Sequence, residues 1–154
     1  MLNNASNILI REDIPNDDEL YIRLCDFHFD NGRLLPTAFE PRLDPDDCGV
    51  KSANWSKYST PIETMGSTAN PYCNKKCAKL EVSFARDIGL EVDHYPTKEN
   101  LAHSGIHTEF SQQPLRNGCK KGTSFSQPSR KQLVEICNYV MKNNKIVHKK
   151  FSIL

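Results

Sequence analysis

Across residues 20–24 apolar and polar side chains alternate, with Leu20, Ile22 and Leu24 on one side of an extended chain and Tyr21 and Arg23 on the other. That period of two predicts a strand with one buried face. Similar patterns predict short strands over residues 50–55, 79–84, 89–93 and 105–110, with Leu80, Val82 and Phe84 turned inward in the third of the five. Thr60-Pro61-Ile62-Glu63 predicts a helix start: Thr60 caps, Pro61 suits the first helical position, and Glu63 stands where a capping-box carboxylate reaches back. Gly66 ends that helix, and Asn70-Pro71 predicts the start of another, which would put Cys73 and Cys77 on one helix face. The last helix starts at Ser129, with Gln132 completing a capping box. Its apolar stripe is Leu133, Ile136, Cys137, Val140 and Met141, and Asn143-Asn144 stops it.

Turn and breaker residues divide these elements. Asp30-Asn31-Gly32 is a turn signal, residues 34–39 read as an extended segment that Pro36 confines to an edge or a loop, and residues 41–49 and 111–128 read as loops. Residues 1–19 read as a polar leader that turns acidic, and residues 20–154 as a single domain. Short strands with few, short helices between them predict an α+β fold. Its sheet should be mixed or antiparallel, with helices on one side and a C-terminal amphipathic helix.

At 154 residues, 38% hydrophobic and 25% charged, the chain is long enough to bury a core of its own. A net charge of +1 argues against wholesale affinity for nucleic acid or membranes. The charge is uneven, however. Residues 1–77 carry 8 basic and 12 acidic side chains, net −4, and residues 78–154 carry 12 and 7, net +5. Near the end, Arg130, Lys131, Lys142, Lys145, Lys149 and Lys150 face the single acid Glu135, which suits either a solvated helix face or contact with phosphates or an acidic partner. No run of residues approaches the roughly 18 apolar positions of a membrane span. The first ten residues lack the basic start of a signal peptide. A cytoplasmic protein with six reduced cysteines is the expectation.

The densest chemistry lies between His94 and Glu109: His94-Tyr95-Pro96, Glu99-Asn100, His103-Ser104 and His107-Thr108-Glu109. Imidazole changes charge near neutral pH, so it serves as general acid, base or ligand. His103 is the expected acid/base, with His94 or Glu109 orienting it. On a strand His107 and Glu109 share a face, where a carboxylate can fix an imidazole tautomer. Trp55-Ser56-Lys57-Tyr58 is the expected second wall of a pocket, with Trp55 stacking on a base or ring. Cys73, Cys77, His103 and His107 supply the ligand types for zinc, but the long apparent strand between the two pairs argues against a compact metal knuckle, and no metal is expected. No phosphate-cradling glycine loop and no G-x-S-x-G elbow occurs, which argues against the commonest nucleotide and ester hydrolases.

Several of these segments recur in one order: Phe39, Gly49-Val50, Asn54 to Tyr58, Gly89-Leu90-Glu91-Val92-Asp93-His94-Tyr95-Pro96, and Glu99-Asn100-Leu101-Ala102-His103. That order resembles a group of small uncharacterised bacterial proteins carrying a G-L-S-V-N-W strand, an H-D-P turn and an N-P-x-H-A segment. The resemblance covers about residues 20–110. It places Trp55, His94, Pro96, Asn100 and His103 at recurring positions, and leaves out His107, Glu109 and the cysteines. Tyr95 stands where that group has an aspartate, so Glu99 or Asp93 would have to supply the carboxylate. Arg23, Ser56 and Glu109 also resemble, in order, the residues lining the NAD cleft of ADP-ribosyltransferase-type folds. The expectation is a binding or accessory module acting through another protein, possible company for a bacterial defence or toxin system. The alternative is a metal-independent enzyme on NAD, a nucleotide or nucleic acid.

Overall fold

A computed structural model describes residues 9–42, 49–108 and 127–150. Eight strands and three α-helices occur among them: β1 (Glu19–Leu24), β2 (Phe29–Asp30), β3 (Arg33–Leu34), β4 (Lys51–Trp55), α1 (Pro61–Met65), β5 (Lys76–Glu81), α2 (Val82–Asp87), β6 (Glu91–His94), β7 (His103–His107), α3 (Arg130–Lys142) and β8 (Ile146–His148). Six strands form one sheet in the order β6-β7-β4-β1-β5-β8, with every neighbouring pair antiparallel. The fold is α+β, as the alternation of short strands and helices predicts.

One face of the sheet carries the main core. Leu20, Ile22 and Leu24 of β1 meet Ala53 and Trp55 of β4, Ala78 and Leu80 of β5, Val92 of β6 and Ile106 of β7. Over them lie Leu133, Ile136, Cys137 and Val140 of α3, and Val82 and Ala85 of α2. Ser129 and Gln132 form the predicted capping box of α3. Met141 departs from the predicted stripe: it is exposed. Among the described residues the opposite face is covered only in part, where α1 sets Met65 on Tyr21 and Cys77, with Val147 beside them. Helices therefore sit on both sides of the sheet rather than one. Thr60 caps α1 as expected, its hydroxyl accepting from the Glu63 amide at 3.1 Å.

Several boundaries differ from the sequence reading, each for a physical reason. The stretch 79–84 is not one strand. β5 ends at Glu81, and Val82 and Ser83 donate their amides to the carbonyls of Asp18 and Asn16, turning the chain into α2. Val82 and Ala85 then share a buried helical face, a spacing that overlaps the strand period at Val82. Asn70-Pro71 starts no helix. Asn70 Oδ1 accepts from the Tyr72 amide, making a side-chain-supported turn. Residues 34–39 are not extended throughout, since Pro36–Phe39 is a turn of 3-10 helix. β7 begins at His103, earlier than expected, and Phe110 lies outside the described residues. The Asn31-Gly32 turn joins β2 to β3 with both residues at positive φ, the tight hairpin geometry that Asn-Gly favours.

Within the stretch read as a polar leader, most of residues 10–17 are exposed but one side chain enters the core. Ile14 is buried in the core, and the segment is held by Arg86, which donates to the Ile14 carbonyl at 2.8 Å. Not all the cysteines are free thiols. Cys25 and Cys73 form a disulfide; Cys77 and Cys137 are buried and unpaired; Cys48 and Cys119 lie outside the described residues. No helix is long and apolar enough to cross a membrane among the described residues.

Gly105 is a point of close approach in β7. A Cβ there would overlap a methyl of Val50 and come within 2.9 Å of the Tyr95 ring. Gly105→Ala should therefore destabilise the fold by about 1–3 kcal/mol, typical of forced overpacking, read as a lower urea midpoint at unchanged slope.

Candidate functional site: a polar cleft on the second sheet face

The strand registers decide which side chains meet. Tyr21 pairs with Asn54, Asn54 with His103, and Ser52 with Gly105. Alternation then puts Tyr21, Arg23, Ser52, Asn54 and His103 on the face away from the main core. α1 covers one end of this face and the turn 95–102 rises beside the other. Between them lies a cleft of about 760 Å³. Those five side chains line it together with Thr64 and Ser67 from the α1 side and Lys98 and Asn100 from the turn.

His103 is held in one tautomer. Its Nδ1 lies 2.9 Å from the Tyr95 carbonyl oxygen, an acceptor only, so Nδ1 carries the proton and donates. In the neutral ring Nε2 is then the acceptor, and the Ser52 hydroxyl donates to it at 3.3 Å. Asn100 shapes the turn that makes this possible. Its Oδ1 accepts from the Ala102 amide at 3.1 Å, and its Nδ2 donates to Asn54 Oδ1 at 2.8 Å. Asn54 in turn donates to Thr64 at 3.0 Å, which ties the two walls of the cleft to its floor. Arg23 is the one charged side chain that the strands place in the cleft. It donates to Ser67 Oγ at 2.5 Å, and no ion pair joins it to a carboxylate among the described residues. Partial desolvation draws its pKa down, and Arg42 adds repulsion.

The other candidates fall elsewhere. His94 and Trp55 meet edge to face with ring centroids 5.0 Å apart, but both are 2% exposed and face the core rather than the cleft. Trp55 Nε1 donates to Asp18 at 2.8 Å, and His94 is saturated: its Nδ1 accepts from the Glu12 amide at 3.0 Å and its Nε2 donates to the Leu101 carbonyl at 2.7 Å. The expected stacking wall and orienter thus lie in packed interior, away from the cleft. Ser56 Oγ accepts from the Glu19 amide, and Lys57 bonds Glu12 on the surface. Of that stretch only Tyr58 reaches the cleft, while its hydroxyl also bonds Glu12. Glu109 lies outside the described residues. Of Arg23, Ser56 and Glu109, Arg23 lines the polar cleft, Ser56 does not, and Glu109 is not among the described residues.

His107 occupies the same face but not the cleft. Buried at 1% exposure, it donates through Nε2 to Asp93 at 2.8 Å and through Nδ1 to the Thr108 carbonyl at 2.8 Å. Both ring nitrogens face acceptors, so imidazolium is the fully bonded form. Burial is the largest single influence and opposes the charge, yet the bonds to Asp93 and the Thr108 carbonyl, with the charges of Asp93 and Glu91, together outweigh it and the pKa of His107 is raised. The bond from His107 holds Asp93 below the usual carboxylate range. Beside them the Tyr95 hydroxyl, 3.3 Å from His107 Nε2, is pushed up to about 12 by burial. Glu91, Asp93 and His107 offer ligand atoms within 4.8 Å of one another, but a cation would have to displace the bond between Asp93 and His107. The four zinc-type residues do not gather: Cys73 is bonded to Cys25 and Cys77 is buried under α1, its thiol pushed up to about 12 by burial. Part of the basic C-terminal segment is engaged within the fold, with Lys145 within 4.0 Å of Glu19 and 3.8 Å of Glu81.

No family model, curated protein or solved structure matches this chain. Alternation in β4 carries the signal for Ser52 and Asn54, which fall on the face opposite Ala53 and Trp55.

The Asp93–His107 pair has a defined pH signature. A raised imidazole pKa contributes stability that is complete below the unfolded value near 6.5 and is lost as pH rises through the folded value. A depressed carboxylate pKa contributes stability present above about 3.8 and lost as pH falls through the folded value. Asp93→Asn should therefore lose most stability relative to the parent between about pH 4 and 6.5, with the deficit shrinking toward pH 9. Urea unfolding of both proteins across that range checks it; a deficit independent of pH would contradict the assignment.

Proposed function

We propose that this domain is a binding module whose ligand is a small polar molecule bearing a carboxylate or phosphate, seated in the cleft against Arg23. The observation that carries this reading is convergence. Arg23, Ser52, Asn54, Asn100 and His103 come from three distant stretches of chain and line one hollow. Binding sites are typically concave, with a few polar groups that converge on the ligand. Arg23 supports an anionic ligand, because its guanidinium, which no ion pair joins to a carboxylate among the described residues, gains a charge-assisted bond when an anion arrives. Glu63 and Glu99, the acidic residues of the lining, are exposed. A protein partner presenting such a group, as an accessory module would meet, fits the same chemistry.

Amide chemical shifts followed during titration with sodium acetate and inorganic phosphate test the reading. The expected changes centre on Tyr21, Ser52, Asn54 and His103, and Arg23→Gln should weaken the apparent affinity by at least about tenfold, the worth of one hydrogen bond to a charged group. Shifts confined to surface lysines and unaltered by Arg23→Gln would overturn it.

A further inference from the structure

Within that cleft, one contact has the geometry of a nucleophile and its base. Ser52 is exposed and its hydroxyl donates to His103 Nε2 at 3.3 Å. An imidazole can take a proton only at the nitrogen that lacks one, and the Tyr95 carbonyl fixes that nitrogen as Nε2 by binding the proton on Nδ1. In hydrolases that use a serine, a third group orients the imidazole from behind; here a backbone carbonyl does so, held by the turn that Asn100 braces. Hydrogen bonds of this kind are often long before substrate arrives, and 3.3 Å lies at the loose end of their range. Arg23 on the same face offers a cation where negative charge would develop on a carbonyl oxygen.

We propose that Ser52 and His103 act together as nucleophile and general base, and that the cleft hydrolyses a small acyl ester. Ser52 Oγ attacks the ester carbonyl carbon while its proton passes to His103 Nε2. The tetrahedral oxyanion faces Arg23. The bond to the leaving alcohol breaks, and the alkoxide departs as the alcohol with the proton from Nε2. A water molecule then attacks the acyl-serine, giving its proton to Nε2. The carboxylic acid leaves, and Ser52 recovers its proton. No oxidant, reductant or metal enters the balance.

The proposal rests on the cleft being the working site, and it specifies the ligand as an ester whose carboxylate product occupies the anion position. The full chain is incubated with paraoxon, an uncharged phosphotriester that phosphorylates activated serines, and p-nitrophenol release and adduct position are read by absorbance and peptide mass. The expected result is one adduct on Ser52, absent in Ser52→Ala, with the second-order rate reduced at least about 100-fold in His103→Gln, the usual worth of a general base. Ser52→Ala should keep the parent's thermal midpoint, because Ser52 is exposed, so loss of labelling there is not loss of fold. No adduct on Ser52, or an equal labelling rate in Ser52→Ala or in folded His103→Gln, would overturn the dyad. If His103→Gln does not fold, Ser52→Ala and the adduct map decide alone. Acetate titration of Ser52→Ala separates the two readings: anion binding without labelling of the parent removes the dyad, and labelling without anion binding removes the anion reading.

Discussion

The turn from Tyr95 to Ala102 must present two carbonyls to two imidazoles that lie on opposite faces of the sheet. His94 ends β6 on the core face, and His103 begins β7 on the other. The Leu101 carbonyl takes the proton on His94 Nε2, and the Tyr95 carbonyl takes the proton on His103 Nδ1. The two rings are thus locked in opposite tautomers by one short loop. Much of the remaining structure follows. Because His94 Nδ1 is left as an acceptor, it receives the Glu12 amide and anchors the N-terminal segment over β6, where Arg11 also donates to the His94 carbonyl and lies over the Tyr95 ring. Because His103 Nε2 is left as an acceptor, it faces Ser52 across the floor of the cleft.

Burial makes the His94 lock strong. A ring nitrogen removed from water without a partner costs about 1–3 kcal/mol, so a fully buried His94 is stable only with both nitrogens bonded. No buried side-chain nitrogen or oxygen lacks a hydrogen-bond partner among the described residues. The two faces of the sheet divide the work accordingly. One is closed by α2, α3 and the Trp55–His94 contact; among the described residues the other carries only the short α1, whose Met65 rests on Tyr21 and Cys77. The part of that second face that no described element covers is polar on β4 and β7, which lowers the drive to bury it.

The sheet was legible where a local rule decides it. Alternation at Leu20, Ile22 and Leu24 marks β1, and the Ser129–Gln132 box marks the start of α3, since both depend on residues close in sequence. The switch from β5 to α2 was not legible, because Leu80, Val82 and Phe84 keep a strand period through the join and the carbonyls that turn the chain come from Asn16 and Asp18. The Cys25–Cys73 bond spans 48 residues and leaves no local trace. Within the candidate site, the histidine-rich segment was visible as a cluster, and His103, Asn100, Arg23 and Tyr58 do reach the cleft. Which face each histidine takes depends on register, and register between β4 and β7 is a long-range property. For the same reason Ser52, 51 residues from His103, was read as an ordinary strand position, and Asp93 rather than Glu109 is the described carboxylate bound to His107.

The opposed tautomers of His94 and His103 are accessible directly. A long-range proton–nitrogen correlation spectrum of the neutral protein, with the imidazole nitrogens assigned, distinguishes a protonated Nδ1 from a protonated Nε2 in each ring. The expected spectrum has the proton on Nε2 of His94 and on Nδ1 of His103. A His103 ring protonated chiefly on Nε2 would contradict the account, since the Tyr95 carbonyl would then hold no proton and Ser52 would face a donor instead of a base.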